Sequence, residues 1–225
     1  MNSPRRFLWL LVTFAAMATA SARADIVLVG NLGEPDRFDT PIGNPQYWAA
    51  QAFTTDNQKY ELASIAAFVG NGLNSPTVVA QLRHEAVGGE IDLTAGGLLT
   101  TFAAPDLTGA PVPRTFARNS DVLLLANTTY WFVLGVNSGT YDWTYANTTN
   151  FTGPGSVRAV NSVADSSDAG LTYVYHDLST FPYKFQVNVN LSAVPEPGSL
   201  ALMGIGIGFG AVVMRRRLTR RCWPR

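Results

Sequence analysis

One feature limits what this 225-residue chain can fold into more than any other. Residues 200–214 carry no polar side chain, and Arg215, Arg216 and Arg217 end that run at once. As a helix the run would be about 23 Å long at 1.5 Å per residue, against a hydrocarbon core of roughly 30 Å. The pattern predicts one short transmembrane helix with its arginines on the cytoplasmic side. Such a helix must thin the bilayer or let the arginines reach back to the headgroups. A second apolar run, residues 7–20, lies between Arg5-Arg6 and Ala22-Arg23-Ala24. That is the layout of a signal peptide over residues 1–24, cut by signal peptidase to leave Asp25 first, with Ala18-Thr19-Ala20 as a second cut site. An uncleaved anchor and twin-arginine export are the alternatives. The folding body is thereby confined to residues 25–192, and residues 193–225 form a tail.

The charges are sorted along the same divisions. Nine of the 16 basic residues lie in the two end segments, while all 16 acidic residues fall between Asp25 and Glu196. That stretch holds seven basic residues and so carries a net −9. A nucleic-acid partner is excluded on this count, because phosphate recognition needs clustered basic charge. The single cysteine, Cys222, excludes a disulfide framework and a cysteine-based zinc site.

Within residues 25–192 the patterning is that of strands. Residues 184–191 alternate, with Phe185, Val187, Val189 and Leu191 on one face and Lys184, Gln186, Asn188 and Asn190 on the other. Residues 130–136 are continuously apolar, as suits a strand covered on both faces. Further strands are expected over residues 48–54, 60–69, 78–83, 98–103, 121–126, 141–146 and 171–176. Turn signals separate them, among them Gly70-Asn71-Gly72, Ala104-Pro105-Asp106 and Gly153-Pro154-Gly155. Residues 30–45 read as a loop. Many short strands with such punctuation predict an all-β body, a β-sandwich or jelly roll.

The tail has three parts in fixed order: Val194-Pro195-Glu196-Pro197, the apolar residues 200–214, and Arg215-Arg216-Arg217. In this it resembles the PEP-CTERM sorting signal of Gram-negative bacteria. The resemblance implies recognition by an exosortase, a membrane-embedded cysteine protease or transpeptidase, with Pro195, Glu196 and Pro197 as the recognised element. It implies a transient inner-membrane anchor, followed by release to the cell surface or an exopolysaccharide matrix. A single-span anchor that stays in place is the alternative. The body carries Ala50-Gln51-Ala52-Phe53-Thr54, Tyr60-Glu61-Leu62-Ala63-Ser64-Ile65, Asn127-Thr128-Thr129-Tyr130-Trp131-Phe132-Val133-Leu134 and Tyr141-Asp142-Trp143, in that order. It is similar in this to the choice-of-anchor bacterial surface domains, type R in particular. That resemblance implies a β-rich domain and brings no catalytic residues with it.

Chemistry is sparse in the sequence. His84-Glu85 lacks the second histidine of a zinc protease, and His176-Asp177 sits at a predicted strand end. There is no Gly-x-Ser-x-Gly elbow and no phosphate-binding glycine loop. Glu34, Asp36 and Asp39, and Asp165 with Asp168, offer oxygen ligands without the spacing of a calcium loop. No catalytic residue, metal or cofactor is therefore assigned, and the body is expected to be non-enzymatic, a hydrolase with unrecognised carboxylates being the alternative. The candidate binding feature is Tyr141, Trp143 and Tyr145, which share one strand face at about 6.7 Å intervals. They could stack on sugar rings as a carbohydrate-binding module, or face the core, the more common fate of large aromatics. Trp48 and Trp131 read as core.

Overall fold

The computed structural model describes residues 25–43, 46–178 and 182–192. The alternating and β-branched segments form eleven strands: β1 Ile26–Gly30, β2 Asp36–Gly43, β3 Trp48–Thr54, β4 Tyr60–His84, β5 Leu98–Ala103, β6 Val112–Arg118, β7 Leu123–Leu124, β8 Thr129–Ala146, β9 Val163–Ser166, β10 Val174–His176 and β11 Phe185–Leu191. A 3-10 turn at Ala95–Gly97 is capped by the Thr94 hydroxyl, which accepts from Gly97 N. The expected all-β class is the one observed. The expected signal peptide and transmembrane helix fall outside the described residues.

The strands belong to one antiparallel network in the order β1-β11-β4-β8-β3-β9-β10, with β2 on β8 and with β5, β6 and β7 on β4. Two long strands make this single sheet double back. The first part of β4 lies between β11 and β6, through Ile65↔Val187 and Ile65↔Phe116. Its last part lies between β8 and β5, through Leu82↔Phe132 and Leu82↔Thr100. Between the two parts, Asn71, Asn74 and Ser75 have positive φ values of 54°, 58° and 49°, left-handed geometry that asparagine tolerates better than most residues. Opposite this bend β8 carries Gly139 at φ 74°, where a Cβ would come within 2.7 Å of the Leu73 carbonyl oxygen, so only glycine fits. Side chains then meet across strands that share no hydrogen bonds. Phe53 on β3 reaches Phe185 on β11 with centroids 6.3 Å apart, and Phe116 on β6 meets Phe132 on β8 edge-on at 5.6 Å. The sandwich-like core is the inner surface of one folded sheet.

Strands β3 and β8 are buried on both faces. Ala49 and Phe53, with Tyr130, Phe132, Leu134 and Val136, join the main core. Ala50 and Ala52, with Trp131 and Val133, join a second, smaller cluster on the other face. That two-sided burial is what the continuous apolar run over 130–136 predicts.

Several expectations need correction. Residues 30–45 are not all loop: β2 pairs with the second part of β8 through Ile42↔Tyr141 and Pro41↔Asp142. It is an edge strand in which Ile42 supplies the buried apolar contact, so it lacks an alternation signal, and its proline needs no ladder donor. Gly70-Asn71-Gly72 is a bend inside β4 rather than a turn between strands, and residues 130–136 and 141–146 are one strand. The candidates at 121–126 and 171–176 shrink to β7 and β10. In β11, Phe185, Val187 and Val189 are buried as the alternation requires, but Leu191 is half-exposed at the strand's end. Lys184, placed by alternation on the polar face, is buried instead. There the chain passes from β8 to β4, with Lys184 N donating to the Thr144 carbonyl, and the side chain passes over the Phe68 ring at 4.2 Å to pair with Asp36.

Candidate functional site

Tyr141, Trp143 and Tyr145 do share one face of β8, and it is the inner one; they are 1%, 0% and 8% exposed. Tyr183 stacks on Trp143 with centroids 4.1 Å apart and on Tyr145 at 4.3 Å. The polar ends are satisfied inside the core. Trp143 Nε1 donates to the Lys184 carbonyl at 3.0 Å, the Tyr145 hydroxyl to Tyr183 at 2.8 Å, and the Tyr183 hydroxyl to Asp165 Oδ1 at 2.9 Å. Burial holds the hydroxyls of Tyr141 and Tyr183 well above the ordinary phenol range, so both stay neutral. The glycan-platform reading of these three residues is corrected on that ground, since a stacking platform needs ring faces open to solvent and Tyr183 covers two of them.

The titratable groups that might have carried chemistry are separated. His84 ends β4 with its ring 5.4 Å from that of Tyr130. His176 ends β10 with Nε2 3.3 Å from Asp165 Oδ2. Ser162 donates its backbone N–H to the His176 carbonyl, but its hydroxyl is buried without a partner and does not engage the imidazole. The loop acids are held singly: Glu34 by Thr148 Oγ1 at 2.5 Å, Asp36 by Lys184, and Asp39 by Thr144 Oγ1 at 2.5 Å. Among the described residues no three or more His, Cys, Asp or Glu side chains come together as a metal site would require.

A different aromatic group lies on the outer face of β3 and β8. Trp131 is fully buried there, edge-on to Tyr175 at 5.6 Å and under the Arg158 guanidinium at 5.3 Å. Arg158 pairs with Glu85 and donates to the carbonyls of Gly89 and Asn161, which ties the loop after β4 onto this face. Tyr175 adds to the tie by accepting from Ile91 N at 2.9 Å. Beside this cluster a hollow of about 250 Å3 remains, with Trp48, Gln81, Arg83, Leu93, Gly170 and Tyr173 among its lining residues. The Trp48 indole occupies the space a side chain at Gly135 would need, and its six-membered ring borders Gly170. Sequence reasoning placed Trp48 in the core because strand alternation cannot show which covered face stays open at its edge. The only available signal is the pair of glycines, Gly135 and Gly170, that make room for the ring.

The hollow's lip, residues 166–172, is built by Asp168. Its Oδ1 accepts from Ser166 Oγ at 2.7 Å and from the N–H groups of Leu171 and Thr172, and its Oδ2 accepts from Thr172 Oγ1 at 2.6 Å. These bonds, led by the Thr172 hydroxyl, hold the Asp168 carboxyl at about 2, below its ordinary 3.8.

The anticipated sorting residues Val194, Pro195, Glu196 and Pro197 and the arginines Arg215, Arg216 and Arg217 lie outside the described residues. Among the described residues no helix is long and apolar enough to cross a membrane. The family model of the PEP-CTERM protein-sorting motif matches residues 193–217. That span holds all three parts of the tail, from the Pro-Glu-Pro element to the last arginine of the triplet. No curated protein matches the chain. The chain thus carries an exosortase-type sorting signal behind an all-β body.

Proposed function

We propose that this is an exported, non-enzymatic protein of a bacterial envelope or extracellular matrix, delivered by its ends and working through its β-rich body. Residues 1–24 direct export. The apolar residues 200–214 then hold the chain in the inner membrane, with Arg215, Arg216 and Arg217 keeping the tail's end in the cytoplasm. An exosortase reads Pro195-Glu196-Pro197 and removes the tail, and the body passes to the surface or into exopolysaccharide. The observation that carries this reading is the sorting-motif match over residues 193–217. The two prolines suit a recognised element, because they lack donors and hold the backbone extended for a protease cleft.

The test is the intact mass and location of the mature protein in cells with and without a working exosortase. The surface fraction of exosortase-positive cells should hold a product lacking residues 200–225. A variant with Pro195, Glu196 and Pro197 all changed to alanine should stay in the inner membrane with its tail intact. Surface protein whose mass still ends at Arg225, or equal release from cells without the protease, would overturn the proposal.

A further inference from the structure

We propose that the outer-face hollow lined by Trp48, Gln81, Arg83 and Tyr173 binds a neutral pyranose ring of an extracellular polysaccharide. Four observations point there. A half-buried indole lines the hollow: the Trp48 ring fills the side-chain space at Gly135 and its six-membered ring borders Gly170. The C–H face of a sugar ring stacks on such a plane, and its hydroxyls need planar hydrogen-bonding groups at the rim.

Those groups are present and only part-used. Arg83 Nε donates to Gln81 Oε1 at 2.8 Å and Nη1 to the Asp92 carbonyl at 2.9 Å, which fixes both side chains. Arg83 Nη2 and Gln81 Nε2 make no hydrogen bond among the described residues, nor does the Tyr173 hydroxyl. Burial raises that hydroxyl's pKa, so it remains a donor at any physiological pH. The Trp48 Nε1–H at the base of the hollow is buried without an acceptor among the described residues.

The hollow is also preformed. Arg158 ties down the loop after β4, and Asp168 braces the opposite lip. Leu171 on that lip is 74% exposed, an apolar edge in the position to cover a bound ring. Preorganised side chains lose little freedom on binding. At about 250 Å3 the hollow is small beside the roughly 300–1,000 Å3 of drug-sized pockets, and suits one ring of a longer chain. The Asp92 carboxylate, which feels the charge of Arg83, offsets it in part, which favours hydroxyls over an acidic sugar.

The inference rests on the exported location proposed above, but its test reads binding and not tail removal. Full-length protein would be purified in detergent after export. Its mobility would be measured in gels containing the extracellular polysaccharide of the producing cells, before and after chemical reduction of uronate carboxyls. The wild type should be retarded equally by both preparations. Trp48→Ala should weaken binding at least tenfold, and Gln81→Ala severalfold, with melting of both variants still cooperative. Arg118→Ala, at a separate surface hollow lined by Glu61, Arg118 and Asp121, should leave binding unchanged. Trp48→Phe, which keeps an aromatic plane, should recover part of the binding and so separates stacking from a general loss of fold. Absence of wild-type retardation, unchanged binding in Trp48→Ala, loss of binding on carboxyl reduction, or displacement of the polysaccharide by a proline-rich peptide would each overturn the assignment. Surface protein of exosortase-positive cells that keeps its tail, while Trp48-dependent binding is still seen, would leave this inference standing and overturn only the sorting proposal.

Discussion

The two aromatic groups of this protein make an instructive pair. Tyr141, Trp143 and Tyr145 face inward, and the hydroxyl of Tyr145 and the indole nitrogen of Trp143 each have a partner within 3.0 Å. Trp48 and Trp131 face outward under loops, and both indole nitrogens lack an acceptor among the described residues. Rings of the same kind, on strands of the same sheet, are closed by a third ring in one case and left beside a hollow in the other. Satisfaction of the polar handle separates the two groups better than aromatic content does. A core aromatic that must stay put is pinned at its polar end, because an unmade hydrogen bond in the interior costs about 1–3 kcal/mol.

The largest effect expected from this contrast is on stability. Trp143→Ala removes a fully buried ring stacked on Tyr183 together with its hydrogen bond to the Lys184 carbonyl, so it should cost about 3–5 kcal/mol in denaturant unfolding. Trp48→Ala removes a half-buried ring from the edge of the second cluster and should cost only about 1–2 kcal/mol. Equal losses for the two variants would mean that the outer group is core like the inner one, and would remove the physical basis for reading the hollow as a site.

The sequence carried some of this architecture plainly. The alternation of Phe185, Val187 and Val189 and the unbroken run at 130–136 are direct readouts of one-sided and two-sided burial, and both are seen. What stayed hidden was non-local. The edge strand β2 exists because the second part of β8 offers it a partner, and nothing in Asp36–Gly43 alternates. Strands β1, β6 and β9, for which no strand was expected, are likewise defined by their partners. The hollow was illegible for a related reason: its residues come from β3, β4, the loop after β4 and the lip before β10. Their meeting depends on the fold of the whole sheet. The tail is the opposite case. Its three parts are contiguous, so the motif is complete in 25 residues and needs no tertiary structure to be read.

A middle-sized effect concerns Lys184, which breaks the alternation of its own strand. Its side chain is 3% exposed, whereas that of its partner Asp36 is 56% exposed. Removing the lysine therefore leaves a carboxylate that water can still reach, and the full penalty of an orphaned buried charge does not apply. Lys184→Met keeps the packing over Phe68 and should cost no more than about 1 kcal/mol, or even stabilise. Asp36→Ala leaves the ammonium buried and unpaired, and should cost more, about 2–3 kcal/mol. The order of the two, read from denaturant midpoints, is the decisive outcome. The reverse order would mean that the carboxylate is the group that depends on the pair.

The smallest effect is on the lip of the hollow, and it is one of pH. The lowered pKa of Asp168 comes from local hydrogen bonds, first that from Thr172 Oγ1 and then that from Ser166 Oγ. A carboxyl whose folded value lies below its unfolded one binds protons more readily when unfolded. The bracing it provides is then complete above the ordinary value of 3.8 and disappears as the pH falls through about 2. Proton-detected titration of the Leu171 and Thr172 amides, which donate to Oδ1, should show a midpoint near 2, moved toward 3.8 in Thr172→Val. In the inner aromatic group, burial raises the Tyr141 and Tyr183 hydroxyls rather than lowering them, so they stay protonated throughout. Amides of Trp143 and Tyr145 should therefore stay unchanged across the window in which the lip loosens. Common movement of both sets would show that acid acts on the whole sheet, and the outer group's independence from the core would then fail at its weakest point.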